Sequence, residues 1–456
     1  MEENFDLVVI GAGPGGYEAA LEAVGKGMKT ALVEKKVLGG ICLNSGCIPT
    51  KRLLHVSDFF RQMKNCGDMG IETKASALNC DCLYEGVQTI VTQLRDGLLG
   101  MLAESGVCLY EGEAVLLEAG KVQVGTEILH TKKILVATGS AQRSLNIPGQ
   151  GKTGVVSCEE LLIQKFFFER LTVIGAGTIG VEFASIYSSM GRPVTLLEAA
   201  DRILPDMDRD ISRNLEMILR NRGVEIFKNA SITEIVKEAD GKDLTLHFEV
   251  KGKTCQVSSD GILNASGREP VMVPMAPGFS LKVFDGAIAV DENGETSCSG
   301  IYAVGDVTGN PMLACRAVSQ GRRAVAHMLG APFTVYTEPI PFCVYTNPEI
   351  ASVGINVDDA DKMGVVVAAC RYPMSANARS WISAEERGFM KLVVCKSTHK
   401  IMGAQLMCAR ASDLIGEFTL AIALGVTVEQ MAAVMRPHPT FGEAVSELCR
   451  ELLRGL

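Results

Sequence analysis

The chain has no apolar run of about 18 residues free of charge, so no membrane-spanning helix is expected. It has no run of basic residues and a formal charge of −9, which argues against a nucleic-acid binder. No secretory signal or Arg-rich transit peptide stands at its start. Met-Glu-Glu-Asn-Phe-Asp leads directly into an apolar segment, and the cytoplasm is the expected location. No second cysteine pair or nearby histidine lies at zinc-like spacing from Cys80-Asp-Cys82 or Cys66, so no metal site is expected. What is present is 456 residues, 47% hydrophobic and 21% charged, enough for two to four domains with large cores.

Fifteen cysteines, an odd number scattered along the chain, do not read as a disulfide scaffold. Most are expected to be reduced, and many buried as small apolar residues. Cys42 and Cys47 differ because of their neighbours, the run Gly39-Gly-Ile-Cys-Leu-Asn-Ser-Gly-Cys-Ile-Pro-Thr-Lys51. In a regular helix, Cα atoms five positions apart lie roughly 8–9 Å from each other. A disulfide needs less than about 7 Å. A bond between them therefore requires the backbone to leave regular helix, which Asn44, Ser45 and Gly46 tolerate. Pro49 blocks an ordinary helical hydrogen bond just after Cys47.

Upstream of this run lies a phosphate-binding pattern. Asp6 to Ile10 reads as a short strand, Gly11-Ala-Gly-Pro-Gly-Gly16 as a turn, and Tyr17 to Val24 as a helix. Gly11 allows the tight turn, Gly13 the approach of a pyrophosphate, and Gly16 close packing of helix on strand. The phosphate then meets the free amides of the helix N-terminus. Glu34, 23 residues after Gly11, ends the next apolar run and can bond a ribose hydroxyl. The arrangement recurs with Leu171 to Ile174, the glycines Gly175, Gly177 and Gly180, a helix from Val181 to Met190, and Glu198 at the same offset of 23. Two such units imply two dinucleotide sites in an α/β chain. Two dinucleotides beside a dithiol point to a flavin (FAD) mediating between a nicotinamide, which moves a hydride, and a disulfide, which takes two electrons by thiolate attack. Glu198 selects NAD, because its carboxylate accepts from the free 2′-hydroxyl and repels a 2′-phosphate; Arg202 lies four residues on.

With these motifs in place, the chain resembles the flavin-dependent pyridine nucleotide–disulfide oxidoreductases, and among them the dihydrolipoamide dehydrogenases. The match spans nearly the whole length: Gly11 to Gly16, Gly39 to Lys51, Ile134 to Ser140, Gly175 to Glu182, Ile301 to Asp306, and His438 to Glu443. The resemblance implies two Rossmann-like domains, for FAD and NAD, and a C-terminal α+β dimerisation domain. It places the first dinucleotide unit and the dithiol in 1–149, the nicotinamide unit in 150–268, a segment completing the FAD domain in 269–338, and the interface domain in 339–456. It implies that Cys42 exchanges with substrate while Cys47 faces the flavin, and that Lys51 lies beside the flavin paired with Glu182. FAD would be held by Gly11, Gly13, Gly16, Glu34, Lys51, Gly112, Thr138, Gly139, Ser140, Asp306 and Ala314. NAD would be held by Gly175, Gly177, Gly180, Glu182, Glu198 and Gly267. Thr50 and Cys315 stand where many relatives have serine and histidine.

Thiol exchange near neutral pH needs a base, because the thiolate is the nucleophile. Of six histidines, His55, His130, His247, His327 and His399 stand in contexts that read as structural or surface. His438 is followed by Glu443 at a spacing that can turn back, orient the imidazole and support its cationic form. The pair matches the family's catalytic histidine and glutamate, which reach the dithiol of the other subunit of a homodimer. The implied reaction is reoxidation of dihydrolipoamide on a carrier domain or protein, for a 2-oxoacid dehydrogenase complex or the glycine cleavage system. A glutathione-type reductase would want NADP-selecting arginines in place of Glu198. A mercuric or large thioredoxin reductase would want a redox pair at the C-terminus, where Cys449 is alone. A non-catalytic flavoprotein subunit would not need Cys42, Cys47, His438 and Glu443 together.

Overall fold

The computed structural model describes the chain except residues 1–3, 65, 73–76, 166, 239–240, 242, 333–338 and 386. The expected boundary at 338 lies outside the described residues. The strand Asn4–Ile10 pairs in parallel with Thr30–Glu34 on one side and with Glu127–Val136 on the other. Cys108–Glu111 extends the sheet beyond Thr30–Glu34, and the antiparallel strands Lys121–Val124 and Ala114–Glu118 extend it the other way. The chain returns to this sheet late, when Ile301–Ala303 adds in parallel to Glu127–Val136.

A second sheet is parallel throughout, in the order Glu225–Lys228, Val194–Glu198, Leu171–Ile174, Gly261–Asn264, Val155–Ser157. All four residues of Leu171–Ile174 are buried, as expected for a strand covered on both faces. An antiparallel meander, Ala230–Lys237, Leu244–Val250 and Lys253–Ser259, shares a core with this sheet. The third sheet is antiparallel, in the order Phe342–Val344, Ile350–Gly354, Ile401–Met407, Phe389–Cys395, Val367–Pro373. It packs with the helices Ala411–Leu424, Val428–Ala433 and Glu443–Gly455 around its own core.

The three units meet. Leu53 and Leu54 from the helix Cys47–Lys64, Phe183, Ile186 and Tyr187 from Thr178–Ser189, and Val344 and Phe389 from the third sheet belong to one buried cluster. Lys391 of the third unit also binds Asp208 and Asp210 of the second, at 2.9 and 3.1 Å.

Both glycine-rich turns are fixed by backbone crowding. Gly11 has φ +101° and Gly175 φ +98°, a region costly for a side chain. A Cβ on Gly16 would overlap the Gly11 carbonyl oxygen, and one on Gly180 the Gly175 carbonyl oxygen. Helix and strand can approach this closely only because these positions lack a Cβ. Gly180→Ala is expected to destabilise the protein by about 2 kcal/mol or more, through forced separation of helix and strand. Urea unfolding with an unchanged midpoint would contradict this packing.

Candidate active site

The helix Gly40–Ser45 carries Cys42, and a new helix, Cys47–Lys64, begins at the second thiol. Gly46 between them has φ −142° and ψ −107°, well outside helical values. The Cα atoms of Cys42 and Cys47 are thereby 4.7 Å apart and the two residues are disulfide-bonded. A Cβ on Gly46 would lie 2.9 Å from the Ile41 carbonyl oxygen, so the break admits no side chain without movement. The Gly46 carbonyl accepts from both the amide and the hydroxyl of Thr50, at 3.1 and 2.7 Å. The Asn44 side-chain amide donates to the carbonyls of Leu38 and Gly40, each at 2.8 Å. Pro49 falls in the first turn of the new helix, where its missing N–H costs no helical bond. It starts this helix rather than interrupting one.

The dithiol segment rests on the first glycine turn. The Gly39 amide donates to the Ala12 carbonyl at 2.9 Å, and a Cβ on Gly40 would come within 2.8 Å of the Gly13 Cα. Gly13 itself has open space where its side chain would be, and it opens the helix Pro14–Gly25 without a side-chain cap. Glu34 braces the turn by accepting from the amides of Ala12 and Lys36, each at 2.8 Å. The second unit repeats this arrangement. Glu198 accepts from Ala176 at 2.7 Å and Ala200 at 2.8 Å, and the uncapped helix Thr178–Ser189 follows Gly177, which is equally open. Open glycines beside uncapped helix N-termini suit two pyrophosphates. Gly112, at φ +145°, donates its amide to the Glu34 carbonyl at 2.9 Å, beside the first unit.

Residues far apart in the chain are joined by hydrogen bonds here. The Ser140 hydroxyl donates to Asp306 at 2.6 Å, and Arg268 donates to the Ser140 hydroxyl and carbonyl, each at 2.8 Å. Arg268 also pairs with Glu159 at 3.0 Å. Thr138 bonds the Val271 carbonyl, and the Gly139 carbonyl accepts from the Val271 amide. Gly267, at φ +131°, accepts from the Arg143 amide at 3.1 Å and from the Gln142 side chain at 2.8 Å. Ala314 is exposed at the start of the helix Ala314–Met328, which has no side-chain cap.

Lys51 and Glu182, 131 residues apart, form a two-pronged ion pair at 2.9 and 3.1 Å. Glu182 is 2% exposed and Lys51 31%. The same carboxylate accepts from the Tyr345 amide at 3.0 Å, and the lysine lies 4.8 Å from the Tyr345 ring centre. Burial pushes the Tyr345 hydroxyl up to about 12. One buried carboxylate thus joins the dithiol helix, the second dinucleotide unit and the third sheet.

His438 Nδ1 lies 2.7 Å from Glu443 Oε1, and the other carboxylate oxygen accepts from the Thr440 amide at 2.8 Å. That amide first, and the imidazole second, hold the Glu443 carboxyl below the usual range. With Nδ1–H donating to Glu443, Nε2 is the free basic nitrogen. The imidazole is 74% exposed, and among the described residues it makes no hydrogen bond to Cys42 or Cys47. Of the other histidines, His327 bonds the Tyr302 hydroxyl at 3.0 Å and His399 bonds Glu429. Cys315 lies 3.8 Å from the Pro341 carbonyl, and burial raises its thiol pKa.

Residues 5–321 match the family described as pyridine nucleotide-disulphide oxidoreductase, and residues 340–449 match that family's dimerisation domain. The chain is a pyridine nucleotide-disulphide oxidoreductase. The dihydrolipoyl dehydrogenase of Mycoplasma pneumoniae is 35% identical to this oxidoreductase over 99% of both chains. One from Bacillus subtilis is also 35% identical, over 97% of this chain and 95% of its own. Among solved structures, the HOCl-induced flavoprotein disulfide reductase RclA of Escherichia coli superposes with a TM-score of 0.88 at 28% identity. That match covers 99% of this chain and 100% of RclA. LpdA of Mycobacterium tuberculosis gives 0.89 at 26% identity, over 98% and 99%.

Three residues of this oxidoreductase escaped the sequence reading: Arg268, Glu159 and Tyr345. Arg268 directly follows Gly267, which was the available signal; nothing local marks the other two. Replacing Lys51 with Met should leave Glu182 buried with the Tyr345 amide as its remaining partner. The expected loss is about 2 kcal/mol, reduced from the ~3–5 of a fully buried pair because the lysine is partly exposed. Chemical denaturation is the measurement, and stability equal to wild type would contradict the junction's role.

Proposed function

We propose that this oxidoreductase is a dihydrolipoyl dehydrogenase that reoxidises dihydrolipoamide with FAD and NAD. The observation that carries the reading is the bonded Cys42–Cys47 pair seated directly on the first dinucleotide turn. Gly11, Gly13, Gly16, Glu34, Gly112, the Thr138–Ser140 segment, Asp306 and Ala314 would hold FAD, together with Lys51. Gly175, Gly177, Gly180, Glu182, Glu198 and Gly267 would hold NAD. The Glu198 carboxylate disfavours a 2′-phosphate, and Arg202 is turned to the Pro205 carbonyl at 2.6 Å.

In the reaction, His438 Nε2 takes a proton from one substrate thiol, and Glu443 steadies the resulting imidazolium. The substrate thiolate attacks Cys42 Sγ, the Cys42–Cys47 bond breaks, and Cys47 leaves as a thiolate. The second substrate thiol, losing its proton, displaces Cys42 and closes the product disulfide. The protein then holds two more electrons, as a dithiol. Bound FAD would supply the two-electron acceptor that links this dithiol to NAD.

The chain carries a dimerisation domain. In the homodimer, His438 and Glu443 of one subunit serve the dithiol of the other. The substrate arm arrives on a lipoylated carrier of a multienzyme complex. Cys158, Cys408 and Cys449 are buried free thiols, in keeping with a reducing compartment such as the cytoplasm. Among the described residues no helix is long and apolar enough to cross a membrane.

The test is steady-state turnover of flavin-loaded protein with NAD and dihydrolipoamide, beside glutathione disulfide with NADPH. The first pair should turn over, and a preference for the second would overturn the reading. Cys42→Ser should abolish dihydrolipoamide turnover while flavin remains bound. His438→Gln should lower kcat by about 10²–10⁴-fold, the range for loss of a general base.

A further inference from the structure

The only tryptophan of the chain, Trp381, is 63% exposed. It lies in the short helix Ala378–Ile382, and that helix is latched to the His438 loop. The Asn377 side chain caps the helix through the Ser380 amide and donates to the Thr440 carbonyl at 3.0 Å, two residues from His438. The Arg379 guanidinium lies over the Phe441 ring, 5.9 Å from its centre. The indole Nε1 donates to the Ser375 carbonyl at 2.7 Å, which ties the ring to the segment just before this helix. That bond uses the indole's one donor, so the ring surface left in solvent is wholly apolar. Ile382 beside it is 64% exposed, and Met435, three residues before His438, is 96% exposed.

We infer that Trp381 is a substrate-selecting residue, an apolar wall carried with His438 that takes the aliphatic arm of the dithiol substrate. The inference rests on the dihydrolipoyl dehydrogenase reading. The reacting sulfurs of the substrate must lie within hydrogen-bond reach of His438 Nε2. Its hydrocarbon arm then extends over whatever borders that imidazole. A flat, hydrogen-bond-satisfied indole and two aliphatic side chains suit a chain of methylenes and offer nothing to a short hydrophilic dithiol. Because Trp381 and His438 belong to one chain, the wall accompanies the base whichever subunit's dithiol it serves.

The experiment compares flavin-loaded wild type, Trp381→Ala and Trp381→Phe with dihydrolipoamide and with dithiothreitol, and checks each protein by size-exclusion chromatography. Trp381→Ala should raise KM for dihydrolipoamide by about tenfold relative to its effect on KM for dithiothreitol, with kcat held within about twofold. Trp381→Phe should restore most of the difference. In the wild type, the single tryptophan's emission should change on titration with lipoamide. An equal effect on both substrates, or none, overturns the inference and leaves the function standing. Dissociation of the Ala variant into monomers also overturns it, by assigning the indole to the subunit contact. Absence of dihydrolipoamide turnover in the wild type removes the function and this inference with it.

Discussion

Between Ser45 and Cys47 the chain abandons helical geometry for one residue, and the reactive pair follows from that interruption. A continuous helix would hold the two Cα atoms roughly 8–9 Å apart; the break at Gly46 brings them to 4.7 Å. The break is held locally: Thr50 bonds the Gly46 carbonyl, and Asn44 ties the preceding helix back to the carbonyls of Leu38 and Gly40. The same segment is pressed against the first glycine turn through Gly39 and Gly40. Sulfur chemistry and dinucleotide binding therefore share one rigid piece of backbone.

The two dinucleotide units repeat each other down to the hydrogen bond. Each has a positive-φ glycine, a helix packed against it through a second glycine, an open third glycine, and a glutamate bracing two amides. What distinguishes them is their neighbours. The first abuts the dithiol, while the second presents Glu182 to Lys51 on the dithiol helix. The buried carboxylate is the point at which the three units cannot shift independently, since its partners come from helix Cys47–Lys64 and from Tyr345.

Features set by local geometry were legible in the sequence. Both glycine turns and their acids lie within about two dozen residues of each other, and so does the requirement that the chain bend between Cys42 and Cys47. Element boundaries moved by a few residues; the second helix begins at Thr178 rather than Val181. Pro49, read from the sequence as blocking a helical hydrogen bond just after Cys47, falls in the first turn of the new helix that follows the break. Glu182 could be read from one sequence as a surface glutamate, yet it is almost wholly buried, because burial is set by segments far along the chain. The Arg268–Ser140–Asp306 chain and the Tyr345 amide were hidden for the same reason: their partners come together only after three sheets have packed. The Asn377–Thr440 latch likewise joins segments 63 residues apart.

The central claim is that the sulfur pair and the flavin form one electron store. An anaerobic reductive titration of flavin-loaded protein tests it directly. Two sulfurs and one flavin should take up roughly four electron equivalents per subunit, and Cys42→Ser should take up about two. A wild-type capacity of about two, unchanged in the variant, would show that the Cys42–Cys47 bond lies outside the redox path.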